Sequence, residues 1–92
     1  MVRHEKVTDE LGNTVEIKLW SVSPTMDKPH GFKYSLVYIV AGHRVIGYDN
    51  GEGKGDHRHY GEHEEPYGFV SLKQLAIDFL ADIERYKRGV LR

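Results

Sequence analysis

The sequence predicts an α+β fold: an antiparallel meander of four to five strands with one C-terminal helix packed on one face. Two observations carry this. The first two thirds of the chain alternate apolar and polar residues with a period of two, between clusters of Gly, Pro and Asn. From residue 71 onward the apolar residues switch to helical spacing, and this is the only stretch that does so. With 92 residues, residues 1–92 are expected to form a single small globular domain.

Residues 3 to 9 read as a weak first strand. ELGN, residues 10 to 13, has the glycine and asparagine of a hairpin turn. TVEIKLWSV follows, with Val15, Ile17 and Leu19 on one face and Glu16 and Lys18 on the other. Pro24, Pro29 and Gly31 make residues 23 to 31 a loop. FKYSLVYIV, residues 32 to 40, is apolar on both faces, as a central strand covered on two sides would be. AGH turns the chain into RVIGYDN, where Gly47 marks a bulge or a close backbone approach. DHRHYGEH could form a fifth strand, with His57, His59 and His63 on one side and Arg58 and Tyr60 on the other.

Ser71 and Gln74 fit a capping box at the helix start, and Val70 with Leu75 fits a hydrophobic staple. Leu72, Leu75, Ala76, Phe79, Leu80, Ile83 and Tyr86 form one apolar stripe, with Asp78, Asp82 and Glu84 mostly off it. Arg85, Lys87 and Arg88 suit the negative end of the helix dipole, and Gly89 suits its stop. One helix covers one face. The other face should then carry part of the set Tyr34, Tyr38, Tyr48 and Tyr60, as a homodimer contact or a base-stacking platform.

Composition excludes several classes. There are no cysteines, so disulfides and thiolate metal sites are out. A net charge of −1 gives no global basic field for nucleic acid. No apolar run reaches membrane-span length, and the N-terminal residues lack a signal-peptide core. A cytoplasmic protein is expected.

GKGDHRHYGEHEEP, residues 53 to 66, holds three of the six histidines. Three readings stand open. In the first, His57 and His59, with His63, Asp56 or a glutamate, hold a divalent metal such as zinc. In the second, the segment cleaves RNA without a metal. Histidines near neutrality serve as acid and base, Lys54 and Arg58 clamp the phosphate, and Asp56 orients an imidazole. In the third, the segment is a solvated polar hairpin. Non-enzymatic versions of the first and third make the chain a homodimeric binding module with the histidine loop as a metal or partner-protein contact.

Residues 47 to 86 resemble the TumE family, small proteins classed as toxin components of bacterial and archaeal toxin–antitoxin systems. The likeness lies in YDN, then GKGDHRH, then EEPYGFVSLKQLAIDFLADI, in that order and spacing. The upstream KYSLVYIVAGHRVIGYDN is also similar to the family's preceding strand pair. The resemblance implies a two-gene module, in which a small helix-turn-helix antitoxin holds the protein inactive and represses the operon. By analogy with other small toxins, it implies a toxin that acts on RNA. The positions it carries over are Asp49, Lys54, Asp56, His57, Arg58 and His59. On that basis His57 and His59 would be acid and base, Lys54 and Arg58 phosphate contacts, and Asp56 or Asp49 orienting carboxylates. Glu64, Glu65 and Pro66 would be structural.

Overall fold

A computed structural model describes residues 2–51, 53 and 55–89. The order is β1 (Arg3–Thr8), β2 (Thr14–Ser21), β3 (Phe32–Val40), β4 (His43–Asp49), β5 (His57–Tyr60), β6 (His63–Pro66) and α1 (Leu72–Lys87). The strands form one antiparallel sheet in sequence order. The α+β meander with a C-terminal helix is as expected, but the sheet has six strands rather than four or five. The segment read as one fifth strand folds back on itself. Gly61, at φ +59°, takes a conformation that other residues reach only at a cost, and it turns β5 into β6.

Helix α1 lies across one sheet face. Tyr34, Leu36, Tyr38, Ile46 and Tyr48 meet Leu75, Phe79 and Ile83 there, and these residues form the core. The Ser71 hydroxyl accepts from the Gln74 backbone N–H at 3.0 Å, so the cap forms. The capping box does not close: the Gln74 side chain donates to Asp78 at 2.8 Å instead. Nor is there a hydrophobic staple, because Val70 is 76% exposed. Gly89 ends the helix at φ +75°.

The tyrosines correct a second expectation. Register places Ile17 opposite Leu36, Tyr38 opposite Ile46, and Ile46 opposite Tyr60. Directly opposed residues share a face. Tyr34, Tyr38, Tyr48 and Tyr60 therefore all lie on the helix side, and none forms an aromatic platform on the open side. Each core tyrosine needs a partner for its hydroxyl. Tyr34 donates to Asp56 at 2.6 Å and Tyr38 to Asp9 at 2.5 Å. Tyr48 donates to Asp82, and Tyr67, above the core, to Asp78 at 2.5 Å.

This pattern explains Asp82. It falls off the apolar stripe by sequence, yet it is fully buried, because the Tyr48 hydroxyl and Arg85 satisfy its oxygens. Ala76 and Leu80, counted in the stripe, are exposed. The buried face of α1 is thus rotated toward Asp82. Burial first, and then the Asp82 hydrogen bond, raise the Tyr48 pKa far above the ordinary phenol value, so it stays a donor. Tyr48→Phe should cost about 1–3 kcal/mol, since a buried carboxylate oxygen loses its donor. Urea unfolding of the two proteins measures this.

No helix among the described residues is long and apolar enough to cross a membrane.

Candidate functional site

The site lies on the open sheet face, opposite α1. Two cross-strand rows build it. One runs Ser35, Asp49, His57, Pro66 across β3 to β6, and the next runs Val37, Gly47, His59, Glu64. Strand periodicity puts His57 and His59 on one face of β5. Pairing then sets Asp49 directly opposite His57 and Glu64 directly opposite His59, with each acid diagonal to the other histidine.

The distances follow from that register. His57 Nε2 lies 2.8 Å from Asp49 Oδ1 and 3.1 Å from Glu64 Oε2. His59 Nε2 lies 3.3 Å from Asp49 Oδ2 and 3.6 Å from Glu64 Oε2. The two rings meet edge to face at 4.9 Å. Both histidines are buried, at 4% and 8% exposure, while the Glu64 side chain is 37% exposed. His57 and Glu64 also border a depression of about 210 Å³ beside Pro66.

The other ring nitrogens differ in what they meet. His57 Nδ1 lies 3.1 Å from the Gly55 carbonyl, which can only accept, so that nitrogen carries hydrogen. His59 Nδ1 lies 3.3 Å from Arg44 Nη2, which can only donate, so that nitrogen is bare. Burial, and then the Arg44 charge, hold the His59 pKa below the ordinary histidine value.

Arg44 reaches the site through a β-bulge. The β3–β4 register shifts between Tyr38 and Ile39, so Val45 is extra and Arg44 pairs with Ile39 on the open face. Strict alternation would have sent Arg44 to the helix side with Ile46. Gly47 makes room for this arrangement. A Cβ there would stand 3.0 Å from Arg44 Cδ and 3.6 Å from the His59 ring. Gly47 is thus the close approach, and the bulge lies two residues earlier. Gly47→Val should displace Arg44 and His59, abolish the site's activity and leave the melting temperature within a few degrees of wild type. Calorimetry beside an activity assay would check both.

The remaining expected site residues lie elsewhere. Asp56 precedes His57, so it points to the helix side. There it does pair with a histidine, but with His30, whose Nε2 is 3.0 Å from Asp56 Oδ2. Phe69 stacks on that His30 ring at 3.9 Å. Arg58 is also on the helix side, bonded to Glu65 at 3.1 Å and to the Tyr48 hydroxyl at 3.3 Å. His63 follows the β5–β6 turn and pairs with Tyr60, not with His59. Its side chain is 66% exposed and contacts Glu65 at 3.3 Å. Lys54 lies outside the described residues.

The structure therefore brings Asp49, His57 and His59 together, and adds Glu64 and Arg44. It sets Arg58 and His63 apart from them, and Asp56 meets His57 and Glu64 only around the depression beside Pro66. Glu64 carried a signal in the sequence, because the hairpin at Gly61 places it opposite His59. Arg44 carried none without the bulge.

The model of the family described as "Toxin TumE" matches residues 2–87 of this chain. No curated protein and no solved structure matches it.

Proposed function

The chain belongs to the TumE toxin family, and from that premise we propose that it is an RNA-cleaving toxin whose reacting centre is the Asp49–His57–His59–Glu64 cluster. One observation carries the reading. Two imidazole Nε2 atoms and two carboxylates converge at a sheet face that the helix leaves open. Centres that move protons or hold charge gather buried titratable groups in this way.

RNA supplies its own nucleophile. The ribose 2′ oxygen bonds to phosphorus as the P–O5′ bond breaks. The 2′ proton leaves to a base, and O5′ gains a proton from an acid. The products are a 2′,3′-cyclic phosphate and a 5′-hydroxyl. Exchange of both protons through the His57 and His59 rings, with Asp49 holding each, is the metal-free form of this reaction. Arg44 touches His59 on the same face, and it takes the role of phosphate contact expected of Lys54 and Arg58.

The partner is an antitoxin. The family resemblance supports a small helix-turn-helix protein encoded beside this chain, and the reading puts both in the cytoplasm. Co-expression of the neighbouring reading frame should restore growth and co-purify with the chain.

Incubating the purified protein with end-labelled RNA tests the reaction. Fragments ending in 2′,3′-cyclic phosphate are expected. RNA left intact, with and without added divalent metal, would shift the reading to a non-enzymatic binding module.

A further inference from the structure

We infer that Asp49, His57 and His59 bind one divalent transition-metal ion, with Glu64 beside its open coordination position. One ligand atom from each of the three lies within 4.8 Å of the others. An ion with bonds of about 2.0–2.2 Å fits inside such a triangle after small side-chain adjustments. Two imidazoles and one carboxylate are a borderline ligand set. They suit zinc and its first-row neighbours better than magnesium or calcium, which prefer oxygen throughout. Three protein ligands and an open position are also what a catalytic ion requires.

The hydrogen positions point the same way. His57 Nδ1 is committed as a donor to the Gly55 carbonyl. Nε2 is then the nitrogen turned toward Asp49 and Glu64, at 2.8 and 3.1 Å. Metal-bound histidines commonly donate their other N–H to a carbonyl in this way, which sets the tautomer and the ring orientation. His59 Nε2 is buried beside two carboxylates and makes no hydrogen bond among the described residues. A buried polar atom in that position calls for a partner, and a cation supplies one once the ring hydrogen has moved to Nδ1.

Arg44 opposes the ion. Its bond to His59 Nδ1 leaves the ring hydrogen on Nε2. Metal binding at Nε2 moves that hydrogen to Nδ1 and displaces the exposed guanidinium. Arg44 is then released toward the substrate phosphate, while the ion stabilises charge on the phosphate oxygens. The inference rests on the RNA-cleaving reading for the ion's use, but not for its binding, and it replaces the proton relay through the two rings, because both Nε2 atoms would hold the ion.

Isothermal titration of the metal-stripped full chain with Zn²⁺ tests this, with circular dichroism to establish that every variant is folded. One ion per chain is expected. Asp49→Asn and His59→Gln, both near in size to the originals, should each weaken binding by at least about tenfold, the lower end of what even an outer-shell loss costs. His63→Ala, on the other face, should leave it unchanged, and Arg44→Ala should tighten it. No binding by folded wild type, or unchanged affinity in Asp49→Asn and His59→Gln, would overturn the inference. Unaltered affinity in Arg44→Ala would overturn the opposition between Arg44 and the ion. RNA cleavage by metal-free protein in excess chelator would refute the ion's part in the reaction and keep the nuclease. Zinc binding with RNA left intact would do the reverse.

Discussion

His57→Ala and Asp49→Ala are each expected to lower RNA cleavage by the purified chain at least about 100-fold, the lower end of what one proton-transfer group contributes. The reason is the shared geometry. His57 Nε2 stands between Asp49 and Glu64, and Asp49 faces both rings. Removing either member leaves the rest misaligned and unbalanced in charge. Groups that act as a unit are not additive in their losses. The His57→Ala/His59→Ala double variant should therefore be scarcely worse than either single one. His63→Ala should retain wild-type rates, because its side chain lies on the opposite face. A loss in His63→Ala equal to that in His57→Ala would contradict the site as drawn. The assay is initial rate on one RNA at fixed protein concentration.

Phe79→Ala should have the largest effect on stability. Phe79 is 1% exposed and sits among Tyr34, Tyr48, Leu75 and Ile83 in the core. Truncating a buried phenylalanine typically costs about 3–5 kcal/mol, because it loses both transfer energy and packing around the cavity. A domain of this size holds a total of about 5–15 kcal/mol. The variant should unfold at a much lower urea concentration, with a near-unchanged denaturant slope. A shift smaller than about 1 kcal/mol would mean that α1 is not the main cover of the sheet. The variant also separates causes. It should lose function together with its circular dichroism signal, whereas His57→Ala should lose function alone.

The sequence made the strand–helix architecture legible because each element carries a local signal. β3 is recovered at its full bounds by its apolar run, and α1 by the Ser71 cap and the Gly89 stop. What escaped depended on pairing. Gly61 sits inside a polar stretch, so nothing apolar marked the turn that splits β5 from β6. That turn removed His63 from the histidine set and brought in Glu64. The bulge at Val45 is a property of two paired strands, and so the place of Arg44 was hidden. The separation of Arg58 from the histidines was readable from simple alternation, but its charge suggested a phosphate contact all the same. Asp82 was hidden because its burial depends on a hydroxyl from β4. Asp49, His57 and His59 were legible as candidates, and the register explains why they meet.

The most direct measurement is growth of bacteria after tightly induced expression of this chain, beside a His57→Ala/His59→Ala variant that circular dichroism shows to be folded. The account predicts arrest with the wild type and normal growth with the variant at equal soluble levels. Arrest by both would place the toxic surface outside the histidine cluster. Normal growth with both would contradict a toxin acting at this site.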